Sequence, residues 1–473
     1  MMSAGERASV RRVTAMDRHS FFWIFIYLVV DIIAFSMVLP WLPSIFELFS
    51  DGKDLLHPRI RRLITKLGYR STVLDSWRWN SEVLGGIHTS VFSFAQFITS
   101  PFAGAFSDAY GRKPVLIFLQ VVSVLSYMLS AVYGSCFVWF TLSRMLCGVS
   151  RANIAVLSAL VGDHSEKGAR TRAMAVVGAA YSVGFTIGPL VSVLCVKRLI
   201  NESVISRLIF CLGMCAAVLN TLNMLFLHWI VSEPLIKKDK KYLSDPLCAE
   251  FVILRCENFI CFVLPSEWPL PIRLREQRVV LSFCFVHPGD NRLWQWSFVW
   301  FGYLMIFSGL EFSLSFITRT RFGYTGREQG YMFFFMGILM IIVQGGLIRR
   351  FQAGNETRFC SLAFFTLSMA TVIIGISQHP YTFYLGLSLW AFAAATFVPT
   401  FNGMISLITG PDRQGHIMGV FRSLNALARA LGPAVFSLLF WTVGDSPCFL
   451  IAAVFLSALG VSFLQMNRSF SHT

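Results

Sequence analysis

Apolar residues fill long unbroken runs of this chain instead of alternating with polar ones. A helix needs about 20 such residues to cross a bilayer core of about 30 Å. Runs of that length stand near 20–42, 83–106, 114–134, 136–162, 173–195 and 207–231. A second set follows near 294–318, 329–348, 359–377, 381–408, 416–440 and 446–465. Each run can satisfy its own backbone hydrogen bonds as a helix, whereas barrel strands need a strict alternation that is absent. The pattern predicts an all-α membrane protein with twelve transmembrane helices in two six-helix bundles. The expected organisation is a tail over 1–19, a bundle over 20–231, a linker over 232–293, a bundle over 294–465 and a tail over 466–473.

Composition sharpens this picture. Hydrophobic residues make up 55% of the 473 and charged residues only 14%, with a mean hydropathy of +0.63. A soluble domain carries nearer a quarter charged residues, so the solvent is lipid. The formal charge of +15 would suit nucleic acid, but the bases gather in the breaks between apolar runs, where a membrane protein keeps them to set its orientation. Nucleic acid is not an expected partner. Cys147, Cys195, Cys211, Cys215 and Cys360 lie inside apolar runs and read as small hydrophobes. Cys256 and Cys261 lack zinc spacing and an accompanying His pair. With no phosphate-binding loop, metal cluster or nucleophile constellation in the sequence, no cofactor, enzyme activity or ATP-driven step is expected.

Short loops fix the orientation. Bases stand at Arg7, Arg11, Arg12 and Arg18, at Arg112 and Lys113 after span two, at Lys167, Arg170 and Arg172 after span four, and at Arg349, Arg350 and Arg358 after span eight. The loops after spans three, nine and eleven carry none. Both termini are therefore expected in the cytosol. The long loop over 43–82, expected outside, dissents with seven bases. No sorting motif stands out, so the plasma membrane is the expectation, and an internal membrane such as the nuclear envelope stays open.

The halves look related. "MAVVGAAYSVGFTIGP" ends at Gly188-Pro189 and "MGVFRSLNALARALGP" at Gly432-Pro433, with Met174 and Met418 preceding them by the same interval. Gly104 and Gly345 end the equivalent spans two and eight. Repeated halves around a midplane site are a secondary-transporter architecture.

Between spans two and three stands "GAFSDAYGRKPVL". Gly104 allows close helix contact there, and Gly111 permits a tight reversal because it lacks a Cβ. Asp108 sits at the membrane edge, where facing the N-terminus of a neighbouring helix contributes about 0.3–1 kcal/mol. Arg112 can pair with another acid, for which Asp163 at the end of span four is the candidate. A plain orientation signal would need the bases alone, not the full set of glycines and acid.

This stretch resembles the loop signature of the major facilitator superfamily, Gly-x3-Asp-x2-Gly-Arg-Lys/Arg, at Gly104, Asp108, Gly111, Arg112 and Lys113. "RMLCGVS" is similar to the family's span-four signature, with Arg144 and Gly148 in place and Cys147 where Gln is usual. Gly184-x3-Gly188-Pro189 resembles the span-five signature of proton-coupled antiporters, although Ser192 and Val193 replace the glycines expected next. Pro40-x2-Pro43 after Asp31 is similar to the span-one signature of the same group. "FSGLEFSLSFITRTRF", "QGYMFF" and "FRSLNALARALGP" look like the animal tetracycline-transporter-like branch. The resemblance spans the chain apart from roughly 236–293, where "FICFVLP" and "VVLSFCFV" within the atypical segment 246–290 are apolar yet too short to span. That segment is either an inner-leaflet loop or translated sequence not normally retained. The resemblance implies a major facilitator fold, gating by the loop set with Asp163 and Arg170, and efflux of organic anions by a monomer.

Ionisable groups at bilayer depth each need a reason. Asp31 lies mid-span in run one and Glu311 late in run seven. Either can take up a proton, because burial favours the neutral carboxyl. For Asp31 a fixed ion pair with a nearby Arg is an equal reading; for Arg144 the family resemblance implies a partner for a proton-carrying carboxylate or for substrate, and structural pairing with Asp31 is the alternative. For Glu311 a solvated gate residue near the outer end of its span is favoured. Arg422 and Arg429 are seven residues apart, two helical turns, and so share a face that lipid cannot cover cheaply. Arg429 is the favoured anion contact, and Arg422 can instead join a cytosolic gate with Asp412. Tyr181, Gln344, Trp390, Phe397 and Asn402 can line a cavity, though helix packing is the better reading for the aromatics. His88 is either a proton relay or a hydrogen-bonded core histidine.

Together these residues suggest a secondary transporter exchanging small organic anions, with protons as the coupling ion. A transporter-shaped protein that binds a ligand or partner without moving it, and a proton symporter of a nutrient, are the rival readings.

Overall fold

The computed structural model describes residues 18–50, 77–163, 170–199, 205–230, 291–347, 356–408 and 414–471. Those residues are almost wholly helical. The helices are α1 (Arg18–Ser36), α2 (Leu42–Ser50), α3 (Trp77–Tyr110), α4 (Arg112–Tyr133), α5 (Phe137–Ser150), α6 (Asn153–Asp163), α7 (Arg170–Leu199) and α8 (Ile205–Ile230) in the first half. The second half holds α9 (Asn291–Phe322), α10 (Gly326–Ile342), α11 (Glu356–Ile376), α12 (Pro380–Ile408), α13 (Gln414–Val443) and α14 (Asp445–Ser471). Spans one and four each consist of two helices in line, α1 with α2 and α5 with α6, so the fourteen helices make twelve spans in the major facilitator arrangement. The atypical segment 246–290 lies outside the described residues.

The breaks have local causes. Span one bends at a short 3-10 turn over Leu39–Trp41, where Pro40 supplies no N–H and Pro43 follows inside α2. Residues 43–50 therefore continue the span as helix and do not begin the loop expected over 43–82. Gly111 caps the start of α4 with φ 106° and ψ 154°, a backbone region closed to residues with a Cβ. Gly323, at φ 66°, turns the chain between α9 and α10. Span eight ends in a π-helical turn over Val343–Leu347.

Eleven described helical segments are long and apolar enough to cross a membrane; α3 is not among them. Its 34 residues include Glu82, His88, Gln96 and several serines, and it lies where other helices cover it. The expected boundaries of 83–106 fall short of this helix at both ends. Since twelve spans alternate in direction, α1 begins and α14 ends at one face, here the terminal face; the other is the opposite face.

Duplication is visible as packing. Ser36 of α1 donates to the carbonyl of Gly184 on α7 at 3.2 Å, and its hydroxyl occupies the place a Cβ on Gly188 would need. Ser308 of α9 donates to the carbonyl of Ala428 on α13, also at 3.2 Å, and fills the corresponding place beside Gly432. In each half a serine thus seats against the glycine that precedes Pro189 or Pro433, one turn below the carbonyl it bonds. Other glycines join the halves to each other. A Cβ on Gly86 of α3 would meet Ser437 and, at 2.7 Å, the carbonyl of Pro433 on α13; one on Gly330 of α10 would meet Val193 and the carbonyl of Pro189 on α7. Gly86 and Gly330, like Pro189 and Pro433, stand at the same sequence interval. Gly104 behaves differently: nothing lies within 4 Å of a Cβ placed there, so the close helix contact expected at that position is absent.

Each half has its own core. In the second half Tyr303 stacks on Phe397 with centroids 3.5 Å apart, and Trp300, Phe364, Phe401 and Phe421 surround them. Trp390 and Phe397 are fully buried in this core, which is where the packing reading of the aromatics placed them. In the first half a polar thread runs through the core: Tyr27 Oη donates to Gln120 at 2.7 Å, and Gln120 donates to Asn220 at 2.6 Å.

Candidate functional site

A narrow cavity lies between the halves, lined by α1, α3, α5 and α7 from one side and α9, α10 and α13 from the other. Its charged lining residues are Arg144, Glu311 and Arg429. Span seven positions Glu311 and span eleven positions Arg429, which approach each other to 3.9 Å. That is the outer limit of an ion pair, and both side chains keep some exposure, 20% for Glu311 and 37% for Arg429. Glu311 lines the cavity beside Arg429, and helix α9 runs on past it to Phe322, beyond the expected end of the span.

Arg144 enters the cavity from α5 without the carboxylate that sequence reasoning offered it. Its guanidinium lies 5.6 Å from the Phe35 ring centroid and 5.4 Å from that of Phe92, and its Nε has no hydrogen-bond partner. Asp31 pairs instead with Arg151: Arg151 Nη1 donates to Asp31 Oδ2 at 2.6 Å, Nη2 donates to the Asp31 carbonyl at 2.9 Å, and Asn153 adds a bond at 3.1 Å. Arg151 caps the end of α5 at the break in span four and also sits 4.4 Å over Phe35. Both partners are almost fully buried. Arg151 escaped sequence reasoning because it is seven residues beyond Arg144, on the same face of what reads as one continuous helix. The signal that separates them is the polar triplet around the break, Ser150-Arg151 and Asn153.

The remaining candidates scatter. His88 lines the cavity wall, stacked on Phe140 at 5.0 Å and edge-on to Phe46 at 5.1 Å, with both ring nitrogens unpartnered; it is not the hydrogen-bonded histidine of the bland reading. Gln344, in the π-helical turn, accepts a bond from Ser182 of α7 at 2.9 Å and so joins the halves below the cavity instead of lining it. Tyr181 stacks on Phe185, a cavity residue, at 6.2 Å. Arg422 is exposed on α13, two turns nearer the terminal face than Arg429.

At the terminal face Arg112 is buried and donates to Ser107 Oγ at 2.5 Å, and Ser107 in turn donates to the Gly104 carbonyl. Lys113 donates to the carbonyl of His228 near the end of α8 at 2.7 Å, tying spans three and six together. The side chains of Asp108, Asp163 and Arg170, and all of Asp412, fall outside the described residues.

The opposite face is closed by contacts between the halves that sequence reasoning did not find. Arg319 of α9 forms a two-pronged pair with Glu47 of α2, both bonds 2.9 Å. The ring of Trp41, whose Nε1 donates to Ser192 of its own half at 3.2 Å, packs where a Cβ on Gly326 of the other half would stand. Nearby, Arg321 binds Asp445 at 2.6 Å and the carbonyls of Ile374, Gly375 and Ser377 at the end of α11. Cations suit a helix C-terminus, and this one also fixes the start of α14.

Comparison with known proteins agrees with this geometry. The family model described as Major Facilitator Superfamily matches residues 24–433. Major facilitator superfamily domain-containing protein 10 of Mus musculus is 32% identical over 95% of this chain and 93% of its own length. The class E tetracycline resistance protein of Escherichia coli is 24% identical over 82% of this chain and 84% of its own. A crystal structure of the human organic anion transporter MFSD10 (TETRAN) superposes at a TM-score of 0.68, with 30% identity over 94% of this chain and 99% of that one.

Proposed function

This chain belongs to the major facilitator superfamily of transporters, and from that premise we propose that it exchanges small organic anions across its membrane by alternating access, with protons moving in the other direction. The observation that carries the reading is the cavity lining. Arg144 from one half and Arg429 from the other face one space, against Glu311 as the acidic lining residue. Fixed positive charge in a low-dielectric hollow favours anions and disfavours cations. Similarity to a protein described as a human organic anion transporter points the same way.

The loose contact between Arg429 and Glu311 suggests how coupling works. Glu311 and an arriving anion compete for Arg429, so the cavity carries the anion one way without a proton on Glu311. On the return the cavity is without anion and Glu311 carries a proton the other way, which it gives up before the next anion binds. Asp31 is outside this cycle, because Arg151 and Asn153 hold it in place as a structural strut. The loop set Gly104, Asp108, Gly111, Arg112 and Lys113, with Asp163 and Arg170, forms the gate of the terminal face in this reading, with both termini in the cytosol, the protein a monomer and the plasma membrane its site.

Flux into proteoliposomes under an imposed pH gradient tests the proposal, with anionic, neutral and cationic aromatic solutes compared. Anions are expected to move, faster with the gradient. Arg429→Ala is expected to slow anion flux by about tenfold or more, the equivalent of one charge-assisted contact, while any neutral-solute flux stays within about twofold. Equal losses for both classes would remove Arg429 from the binding site; movement of cations alone would overturn the anion reading.

A further inference from the structure

The closed opposite face holds one group that neither the cavity nor the gate contacts explain. Glu82, one turn into the covered part of α3, is 1% exposed, and neither carboxyl oxygen has a hydrogen-bond partner. It stands at the seam between the halves. Gly85 and Gly86, three and four residues on and so on the same helical face, let α3 meet Phe312 and Phe316 of α9 and Pro433 and Ser437 of α13. Ser313 of α9 is likewise fully buried with an unpartnered hydroxyl, and it is the polar group set against Glu82.

Among the described residues no cation answers this carboxyl. On α9, Arg319 is committed to Glu47 and Arg321 to Asp445 and three carbonyls. On α14 the titratable groups facing it are Asp445, of like sign, and the buried Cys448 thiol. Phe46 of α2 and the α13 contacts bring none, and His88, further along α3, is stacked on Phe140 with both ring nitrogens unpartnered. An ionised carboxylate without partner or water is among the costliest groups to bury, and the usual resolution is that it carries a proton.

We propose that Glu82 is a proton-binding site that reports the state of the opposite face: protonated while α3 is sealed against α9 and α13, and free to ionise when the halves part and water reaches it. The duplicated position in the second half is Gly326, so this site breaks the symmetry of the two halves and belongs to one seam only. Rising pH on that side then favours the open state, because only the open state can release the proton. The inference rests on alternating access but not on the identity of the solute.

The test is made without solute, on the full chain reconstituted in nanodiscs. Spin labels at Tyr133 on the first half and Tyr381 on the second, both exposed at the opposite face, report the separation of the halves between pH 5.5 and 8.5. The wild type is expected to shift towards longer distances as pH rises; Glu82→Gln, a neutral mimic of the protonated side chain, is expected to stay closed throughout, and Glu311→Gln to keep the shift. Infrared difference spectra across the same pH steps should lose one protonated-carboxyl band in Glu82→Gln. An unchanged pH shift in Glu82→Gln, or a shift that vanishes when sodium is replaced by a bulky organic cation, would overturn the proposal; anion flux that fails while the Glu82-dependent shift survives would count against the transport reading alone.

Discussion

At the scale of single residues, the buried pair of Asp31 and Arg151 separates structural charge from working charge. Removing one member of such a pair strands the other, at a cost of about 3–5 kcal/mol. Arg151→Met is therefore expected to lower the unfolding temperature of the purified protein sharply, and the double variant with Asp31→Asn to recover much of the loss; thermal unfolding in detergent measures both. Arg144→Met, which leaves no carboxylate behind, is expected to alter that temperature little. The sequence made both arginines visible, but not their division of labour. That depends on a helix break at residues 151–152 that no proline or glycine marks. The depth of Glu311 was hard to read for a related reason: composition cannot fix the end of a span that continues as helix to Phe322. Arg429 was legible because a base so far from either end of an apolar run has few places to go.

At the scale of helices, glycines of similar appearance have different duties. Gly188 and Gly432 let helices approach within one half; Gly86 and Gly330 let them approach between halves. Gly188→Ala is expected to reduce stability by about 1–3 kcal/mol through overpacking against Ser36. Gly86→Ala is expected to leave stability within about 1 kcal/mol and instead to populate the state in which α3 and α13 are apart. Unfolding temperatures together with the distance between spin labels at Tyr133 and Tyr381 distinguish the two classes; similar stability losses for both would erase the distinction. The repeat containing Gly188 and Gly432 could be read from sequence because Gly-Pro marks it twice. Ser36 and Ser308, the residues these glycines serve, could not, since single serines are common in membrane helices.

At the scale of the whole molecule, the halves meet through few charged contacts at the opposite face, and the pair between Glu47 and Arg319 is the clearest of them among the described residues. Both side chains keep partial exposure, 14% and 27%, so the pair contributes no more than about 1 kcal/mol. Glu47→Gln is accordingly expected to shift the balance between closed and open states by about fivefold at most, and more weakly in high salt; accessibility of a cysteine at Ser192 to a membrane-impermeant reagent measures it. A latch this weak is what alternating access requires, since a stronger one would hold the protein in one state.

The polarity of α3 has a consequence for how the protein is made. A segment carrying Glu82, His88 and Gln96 gains too little from lipid to leave the translocon on its own. It needs partners among the later helices to shelter it, and α9 and α13 belong to the half that is synthesised second. The nascent first half is therefore incomplete in a specific sense: its second span becomes secure only when the second half has been translated and docked.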